Sequence, residues 1–516
     1  MKRTAKYKPL LFTTTVRSPE RLKGFLGVLK KFDGQVLSDP LAKKIAGEII
    51  RAGLYKPKNL RKLVEAKWKA KKPLGNREIA QILKENPQHH KEAGFSRGWP
   101  SRFDTWFKLA KVLGFVFYKS GKAIRFSEIG NELARTDASD EDASDADFEQ
   151  QAFLNAFVKY QNNNPFRRVL NENAPLLLLL GVIQKLNSDM EFNGAGISKL
   201  ELPLLLYWKD SNAEPLYQRI KKLRHEFGFD PSWDVVVAIC REEIMAGKDI
   251  KRSNQSIMSD YPDDFIRKMR LTGLITLRGG GRFIDINKNE QKKVDYVLAN
   301  YSAYKKYETE EDYFDYISTA DDNLFSIAPT HVSEKNKAIL LEKWVDFFGW
   351  DTIKEEMSIL SRKVNAKDEI LKYLSHPVRL EFLTALAIKS QLPNVRVIPN
   401  YPVDDEGIPT STAPGTGNIG DIECFENANG ILVEVTMSQG TTQYMTEVWP
   451  IARHLGKFKE KAANAMCYFV APSIFCDTSQ QIEFLKEKKN LRIFPKTIKE
   501  FLAYLEGIDR LYIAES

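Results

Sequence analysis

A predicted β-hairpin near the C-terminus constrains the fold of this chain more than any other segment. Two strand-like runs, 421–426 and 431–436, flank a turn that we place at 427–430. Side chains alternate between the two faces of a strand, so a turn of four residues gives the hairpin one polar face. That face carries Asp421, Glu423, Glu434 and Thr436. In this register Glu434 pairs with Glu423.

Opposed carboxylates on one face of a hairpin need a physical explanation. Like charges placed directly opposite each other destabilise an ordinary sheet. They are tolerated on an edge exposed to solvent. They are favoured where a divalent cation binds between them, because Mg²⁺ takes a few carboxylates together with water and phosphate oxygens. The opposite face carries Ile422, Cys424, Val433 and Val435, which predicts a core behind the hairpin. The pattern alone leaves both interpretations open.

Charge is unevenly distributed along the chain. The 516 residues carry a net +9, whereas residues 1–133 contain 30 Lys and Arg against 11 Asp and Glu. The first part is therefore +19 and the remainder −10. A basic block joined to a mildly acidic body indicates a module that binds a polyanion, and we expect that polyanion to be a nucleic acid. A solvated, lysine-rich surface is the alternative.

Length and composition indicate several domains in a reducing compartment. A chain of 516 residues is too long for a single core. The longest apolar run, 175–183, is too short to span a bilayer, and the N-terminus lacks the apolar stretch of a secretory signal. Four scattered cysteines form no CxxC pair, which fits the cytosol and offers no zinc knuckle. We therefore expect a cytoplasmic protein without a membrane partner.

An acidic segment, 137–147, separates the basic block from the rest of the chain. It has six carboxylates and no basic residue, which is typical of an exposed linker or of the acidic start of a helix. We place a domain boundary there. Before it, the apolar spacing of 102–113 predicts a helix that ends at Gly114. A β-hairpin follows, with strands near 115–118 and 123–126.

The same order recurs further along the chain. A helix over 264–272 ends at Gly273, and strands over 274–277 and 282–286 form a second hairpin. A helix, a glycine and a hairpin, with basic residues on the helix and at the tip, are typical of a winged helix, whose helix can enter a major groove. Winged helices also bind proteins. Two copies, one of them within the basic block, favour recognition of DNA.

The remaining segments predict helices between the two units and a mixed C-terminal region. A buried helix is expected over 176–186, another starts near Ile197, and two amphipathic helices lie between 332 and 375. The C-terminal order is helix 377–389, strand 395–400, the acidic hairpin, helix 450–463, strand 465–471, helix 479–488 and a final strand–helix pair. This order favours a central sheet flanked by helices.

The acidic hairpin and the residues after it resemble a known group of nucleases. A Gly-Asp pair followed twelve residues later by Glu-Val-Thr is similar to the PD-(D/E)xK nuclease core. The stretch 434–443, Glu447 and the pair 453–454 resemble more closely the AlwI-type restriction endonucleases and the related site-specific nicking endonucleases. Further similarity lies at 17–20, 113–117 and 272–274.

The resemblance implies a multidomain architecture in a prokaryotic protein. Mostly α-helical N-terminal winged-helix domains would bind an asymmetric site on double-stranded DNA. A C-terminal α/β PD-(D/E)xK-like nuclease domain with a central mixed sheet would cut a few bases to one side. We accordingly expect recognition domains at 1–137 and 138–300, a helical linker at 301–345 and a nuclease domain at 346–516.

The resemblance also implies the residues that hold the metal. Asp421 and Glu434 become ligands of Mg²⁺, for which Mn²⁺ could substitute. Glu381, on the helix ahead of the hairpin, becomes a further ligand or a carboxylate that orients water. The chain departs from the general pattern twice, because Gly420 stands where Pro usually precedes the first Asp, and Thr436 replaces the Lys of (D/E)xK.

Two further residues are expected to serve the same reaction. Glu447 and His454 would position or deprotonate the attacking water, as a base near neutral pH should. Both have ordinary alternatives, since an acid is favoured in the first turn of a helix and a histidine is common on a helix surface. Pro450 lies between them, so one continuous helix is not required.

The DNA contacts are expected from basic residues in and around the two helix–glycine–hairpin units. The candidates are Arg17, Arg97, Arg102, Lys108, Lys111, Lys122, Arg267, Arg270 and Arg278. One active site cuts one strand, so a duplex break needs a transient homodimer, a separate small catalytic subunit or sequential nicking.

Three functions remain to be compared at this point. The sequence favours a Mg²⁺-dependent, site-specific DNA endonuclease of type IIS layout or a strand-specific nicking endonuclease. A non-catalytic winged-helix regulator would explain the basic block but not the acidic residues. A structure-specific repair nuclease would use the same chemistry on a different DNA shape.

Overall fold

A computed structural model describes most of this chain. The described residues are 6–12, 15, 19–60, 62–69, 74–92, 94–135, 146–247, 252–301, 304–414, 419–462 and 464–513. Arg17 and most of the predicted acidic boundary, 137–145, lie outside them. Among the described residues, no helix is both long and apolar enough to cross a membrane.

Aromatic packing organises the first region. Its elements are α1 (Pro19–Lys30), α2 (Asp39–Arg51), α3 (Lys62–Lys69), α4 (Asn76–Glu85), α5 (Trp99–Val112), β1 (Val116–Phe117), β2 (Arg125–Phe126) and α6 (Glu128–Leu133). The side chains of Phe103, Trp106 and Phe107 on α5 are completely buried. The chain turns at Gly114, where φ is +76° and a Cβ atom would collide with Ile317. The predicted helix, glycine and antiparallel hairpin are therefore present.

The second helix–glycine–hairpin unit is also present. Its region contains α7 (Ala146–Lys159), α8 (Pro175–Ser188), β3 (Ile197–Ser198), α9 (Leu202–Tyr207), α10 (Ala213–Phe227), α11 (Trp233–Ala238), α12 (Tyr261–Arg270), β4 (Ile275–Arg278), β5 (Phe283–Ile286) and α13 (Gln291–Asn300). Strands β3, β5 and β4 form an antiparallel sheet in that order. The helix predicted to start near Ile197 was misplaced, because 197–198 pairs with β5 and the helix starts five residues later.

The connection to the C-terminal region is helical. It consists of α14 (Glu310–Ser318), α15 (Asp322–Ser326) and α16 (Glu334–Ser361). The two amphipathic helices predicted before 375 correspond to the two halves of α16, which meet at Gly349. There φ is +66° and ψ is 163°, a conformation outside the helical range that glycine adopts at little cost.

The C-terminal region is built on the predicted mixed sheet. Its elements are α17 (His376–Gln391), β6 (Arg396–Pro399), β7 (Ile422–Glu426), β8 (Asn429–Val435), α18 (Thr441–Thr446), α19 (Val448–Phe458), β9 (Asn464–Ala471), α20 (Cys476–Lys489), β10 (Ile493–Thr497) and α21 (Ile498–Glu506). The strand order is β10-β9-β8-β7-β6, with β6, β7 and β8 antiparallel and β8, β9 and β10 parallel. One face of the sheet packs on α17 and α21, and the other on α19 and α20.

The register of the β7–β8 hairpin differs from the prediction by two residues. The turn consists of residues 427–428, with Asn427 at φ +56°, and Asn429–Gly430 already belong to β8. Glu423 therefore pairs with Leu432 rather than with Glu434. A shift of two preserves which side chains share a face. Continuing the register beyond the last strand pair places Asp421 opposite Glu434.

Candidate functional site

Two carboxylates meet at the open end of the β7–β8 hairpin. Asp421 directly precedes β7, and Glu434 is the second-last residue of β8. The amide of Val435 donates a hydrogen bond to Asp421 Oδ2 at 2.7 Å, which ties the Asp421 side chain to the neighbouring strand. Glu434 is buried, with only 5% of its surface exposed, whereas Asp421 is partly exposed. The hairpin thus brings both carboxylates to the same end of two inner strands of the central sheet.

A third carboxylate reaches the same place from a helix. Glu381 lies on α17 and is buried, and its Oε2 accepts a hydrogen bond from the amide of Ala413 at 2.8 Å. Burial, then repulsion from Glu434 and from Glu381, raises the pKa of Asp421 well above its usual value. Burial and Glu434 likewise raise the pKa of Glu381. The three carboxylates therefore repel one another in a poorly solvated site.

These three carboxylates have other partners than lysine or arginine among the residues that the structure describes. Within the described part of the chain, no Lys or Arg side chain forms an ion pair with Asp421, Glu434 or Glu381. The partner of Glu434 is instead His454 on α19, whose Nδ1 lies 2.9 Å from Glu434 Oε1. The cluster therefore has a histidine beside it, among the described residues, in place of a permanently charged lysine or arginine.

Glu447 is the fourth carboxylate near this cluster, and it is repelled by Glu434 and Asp421. It is the residue between α18 and α19, seven positions before His454. Thr436, directly after β8, donates its hydroxyl proton to Glu447 Oε1 at 2.9 Å. Burial raises the pKa of Glu447, and Glu434 adds to this increase by repulsion. The structure thus brings together all five residues that the sequence singled out for catalysis.

The glycine that replaces the usual proline has a local explanation. A Cβ atom on Gly420 would collide with Glu434 Oε1 and would lie 2.5 Å from Leu432 Cδ1. Any larger residue at 420 would therefore displace Glu434 from its contact with His454. The small residue at 420 therefore leaves the space in which Glu434 contacts His454.

The donor set is the property that decides whether a divalent cation fits. No group of three or more His, Cys, Asp or Glu side chains among the described residues has the geometry of a metal site. Mg²⁺, however, needs only one or two carboxylates, because water and phosphate oxygens complete its six ligands. Asp421 and Glu434 are hard oxygen donors whose mutual repulsion a cation would remove. The residues present therefore fit such an ion in their chemistry.

Glu423 shares the face of Asp421 and Glu434 but is not part of the site. Its two carboxylate oxygens accept hydrogen bonds from Lys461 Nζ at 2.7 and 2.8 Å. This partner lies 38 residues away in sequence, so hairpin periodicity could not reveal it. The acidic face therefore divides into a neutralised end near the turn and an uncompensated end at Asp421.

Sequence reasoning did not identify Gln443, which is completely buried behind the site. Its side-chain amide donates to Ser438 O at 3.1 Å and to Ser473 O at 2.9 Å, and its carbonyl accepts from the amide of Phe475. These bonds fasten the loop after β8 to the loop after β9. The only signal was the position of Gln443 at the end of the stretch that resembles the nuclease family.

The candidate DNA-binding residues of the first unit differ in solvent exposure and in their contacts within the protein. Arg97 and Lys122 are exposed. Lys108 pairs with Glu92 at 3.2 Å. Arg102 lies over the rings of Tyr55 and Trp106 and contacts His90 Nε2 at 2.8 Å. The accessible candidates are therefore Arg97, just before α5, and Lys122, at the hairpin tip.

Lys111 and the candidates of the second unit are engaged in internal contacts. Lys111 lies over Phe166, 4.7 Å from the ring centre, and 3.7 Å from Glu310. Arg267 pairs with Asp263 and donates to the carbonyl of Lys372. These side chains pack the helices of the first 300 residues against later parts of the chain.

Arg270 and Arg278 join the second unit to a loop of the C-terminal region. Arg270 lies 3.5 Å from Asp404, and Arg278 binds Asp405 at 2.6 Å and also Glu406 and Asp285. The tip of this hairpin is covered as well, because a Cβ atom on Gly281 would lie 3.2 Å from Ile370. We call this contact between 270–281 and 404–406 the junction.

Comparison with known proteins agrees with the family resemblance. The family model described as AlwI restriction endonuclease matches residues 111–343 and 317–504. No curated protein matches the sequence. Among solved structures, the small subunit (R.BspD6I2) of the heterodimeric restriction endonuclease R.BspD6I is 23% identical, with 32% of this chain and 82% of that chain covered and a TM-score of 0.26.

The restriction endonuclease FokI is similar over a greater length. It is 11% identical, with 98% of this chain and 96% of its own covered and a TM-score of 0.25. FokI bound to DNA gives the same identity and coverage with a TM-score of 0.23. The family model, which spans most of the sequence from 111 to 504, carries the assignment. This chain belongs to the AlwI restriction endonuclease family.

Proposed function

We propose that this chain is a DNA-cleaving hydrolase, a type IIS-like restriction endonuclease. It would recognise a short asymmetric site on double-stranded DNA and hydrolyse a phosphodiester a few bases away. The observation that carries the proposal is the buried cluster of Asp421, Glu434 and Glu381, which no described lysine or arginine neutralises, in a member of a restriction endonuclease family.

Asp421 and Glu434 are the proposed ligands of Mg²⁺, with Glu381 as a third ligand or as a carboxylate that orients water. Mn²⁺ offers a similar ligand preference and should substitute. When bound, such an ion lowers the pKa of a coordinated water and neutralises charge that develops on the leaving oxygen. The carboxylates supply the negative charge that retains the ion, which explains why their repulsion is tolerated in the fold.

The protein's own groups handle the proton in this proposal. The water oxygen attacks phosphorus, and the proton released by the water passes to Glu447 or His454. The bond from phosphorus to the leaving oxygen breaks, and that oxygen keeps the electron pair and takes a proton from solvent. The pKa of Glu447 is raised by burial, which makes it a better proton acceptor than an exposed glutamate. His454 is held at Nδ1 by Glu434, so its second ring nitrogen is the one left for proton transfer.

The domain roles are proposed from the basic first block and from the two helix–glycine–hairpin units. We propose that 1–137 and 138–300 are recognition domains of winged-helix type, that 301–345 links them, and that 346–516 is a PD-(D/E)xK-like nuclease domain. Exposed Arg97 and Lys122, with Arg102 and Lys108 beside them, are the proposed DNA contacts of the first domain. Arg270 and Arg278 are proposed to hold the junction rather than DNA, because carboxylates already occupy them.

One catalytic cluster per chain leaves the second strand to a further event. Three arrangements would cut the second strand: a transient homodimer, a separate small catalytic subunit, or sequential nicking by the same site. A strand-specific nicking endonuclease would cut only one strand. Plasmid digestion distinguishes one-strand from two-strand cutting, because a single nick converts supercoiled plasmid only to open circles. Concentration dependence then distinguishes the homodimer from a separate subunit.

The direct experiment is digestion of a supercoiled plasmid with and without Mg²⁺. Discrete fragments, or one nick at a fixed sequence, support the proposal. Cutting restricted to forks or flaps would instead favour a structure-specific repair nuclease. A wild-type protein that binds DNA but never cuts it with Mg²⁺ or Mn²⁺ would contradict the proposal and favour a winged-helix regulator.

A further inference from the structure

Thr436 is fixed beside the carboxylate cluster at the end of β8. It stands two residues after Glu434 and directly after Val435, whose amide binds Asp421. The amide of Thr436 donates to the carbonyl of Val470 on β9 at 3.1 Å. The bond from Val435 to the Asp421 side chain and the bond from Thr436 to β9 thus fix this segment at the end of β8.

The hydrogen bonds of the Thr436 hydroxyl have a defined direction. The amide of Ser438 lies 3.0 Å from Thr436 Oγ1, and because an amide nitrogen only donates, the hydroxyl accepts there. The single hydroxyl proton is then available for Glu447 Oε1 at 2.9 Å. Thr446 lies 3.3 Å from the same oxygen, but its one proton also has the carbonyl of Thr442 as an acceptor at 2.8 Å. Thr436 is therefore a defined donor to Glu447, beside the Ser438 side chain, which also hydrogen-bonds this carboxylate.

The backbone of Glu447 is fixed, but its side chain lies beside other carboxylates. Glu447 occupies the joint between α18 and α19, where its amide donates to the carbonyl of Gln443 and its carbonyl accepts from the amide of Ile451, both at 3.1 Å. Its charge is also repelled by Glu434 and Asp421. Repulsion would turn the carboxylate away from the cluster, whereas a donated hydrogen bond from the sheet edge opposes that movement.

We infer that Thr436 is a positioning residue that holds Glu447 towards the water to be activated. The inference rests on the proposed nuclease function. Thr436 acts through Glu447 and contacts neither substrate nor ion. It therefore does not reproduce the lysine of (D/E)xK, because a neutral hydroxyl donates one hydrogen bond and supplies no charge. In this chain, the residue at position 436 orients the carboxylate of Glu447 instead.

Three substitutions test this role by single-turnover cleavage, with enzyme in saturating excess over DNA and with saturating Mg²⁺. Thr436→Val keeps the branched shape but loses the hydroxyl, so the rate constant should fall about ten- to a hundredfold. Thr436→Ser keeps the hydroxyl and should restore most of the rate. Thr442→Val removes an exposed hydroxyl of α18 that does not contact Glu447, and the rate should stay at the wild-type value.

Two readouts separate positioning from general damage. DNA affinity and the thermal stabilisation by Mn²⁺ should be the same in Thr436→Val and wild type, because Thr436 touches neither ligand. In a Glu447→Gln background, the further loss from Thr436→Val should shrink to less than about twofold, since the two residues act as one unit. Thr436→Ala serves as a second hydroxyl-free variant if Thr436→Val folds poorly.

The outcomes distinguish the inference from the function on which it rests. Wild-type rates in Thr436→Val and Thr436→Ala would overturn the inference, as would a Thr436→Ser variant as slow as Thr436→Val. A full additional loss in the Glu447→Gln background would overturn it too. Cleavage by wild type but not by Asp421→Asn keeps the proposed function in place whichever result Thr436 gives, whereas an inert wild type overturns both.

Discussion

Two acidic clusters of the C-terminal region, close in sequence, have opposite surroundings. The junction acids are Asp404, Asp405 and Glu406, and the site acids are Glu381, Asp421 and Glu434. Arg270, Arg278 and Lys343 neutralise the junction acids, with Lys343 Nζ 2.5 Å from Glu406. The site acids have one another, backbone amides and a histidine.

The difference shows how a structural acidic cluster can be told from a functional one. Although burial opposes it, Lys343 and Arg278 hold the pKa of Glu406 below its usual value. Burial and the neighbouring carboxylates raise the pKa of Asp421. Glu406 therefore stabilises the folded chain as a carboxylate, whereas Asp421 costs stability as a carboxylate and must be retained for another reason. Neutralising Glu406 and neutralising Asp421 should have opposite effects on the free energy of unfolding.

The largest expected effect is on cleavage by the site acids. Asp421→Asn or Glu434→Gln removes a proposed metal ligand worth several kcal/mol in the transition state, so the cleavage rate should fall by about a thousandfold or more. Quantified plasmid cleavage gives the rate, and a mobility-shift titration should show unchanged DNA affinity. If both variants cleaved DNA at the wild-type rate, Asp421 and Glu434 would not be catalytic metal ligands.

The second effect tests the junction. Arg278→Met leaves Asp405 and Glu406 without their guanidinium, and the free energy of unfolding should fall by about 2–4 kcal/mol. Denaturant unfolding measures the change. Arg282→Met is the matched control on the same hairpin, since Arg282 forms an exposed pair with Asp230 and should lose less than about 1 kcal/mol. Equal losses in both variants would mean that the ion pairs of the junction stabilise the fold no more than an exposed ion pair does.

The third effect has the opposite sign. With metal removed by chelation, Asp421→Asn should leave the free energy of unfolding unchanged or raise it by about 1 kcal/mol. The amide keeps an acceptor for Val435 N and removes a charge that burial and repulsion disfavour. The same denaturant titration measures it. A loss above about 2 kcal/mol would show that the site acids are structural, like the junction acids.

The smallest effect concerns the proposed DNA surface. Lys122→Ala removes one exposed cation at the first hairpin tip, so the slope of log affinity against log salt concentration should decrease by about one. Lys222→Ala changes a further exposed lysine, on α10 outside the two helix–glycine–hairpin units, and should leave the slope unchanged. Identical slopes for wild type and Lys122→Ala would place the DNA surface away from the first hairpin.

Local periodicity was sufficient to predict most of the fold. Alternation of side chains correctly placed Asp421, Glu423 and Glu434 on one face, because a register error of two residues does not change which face a side chain occupies. The error itself arose at the turn. Asn429–Gly430 has the composition of a tight turn, but Asn427 adopts the positive φ and Asn429 extends the strand.

Contacts between distant segments could not be predicted from the sequence. Glu423 is neutralised by Lys461, and Arg278 is bound by an acid 127 residues away. Arg270 and Arg278 have the local pattern of DNA-contacting residues, and only the fold shows that carboxylates already surround them. The roles of the five catalytic candidates remain predictions, although their proximity is now a structural observation.

The most direct test of the central claim is the thermal unfolding of DNA-free protein titrated with Mg²⁺ and Mn²⁺. An ion that binds only the folded state stabilises it by RT ln(1 + [ion]/Kd) and therefore raises the Tm as the ion concentration rises. The account predicts that either ion at millimolar concentration raises the Tm of wild type, and that Asp421→Asn loses this response. A wild-type Tm that does not respond, or an equal rise in Asp421→Asn, would contradict a divalent-cation site at Asp421 and Glu434.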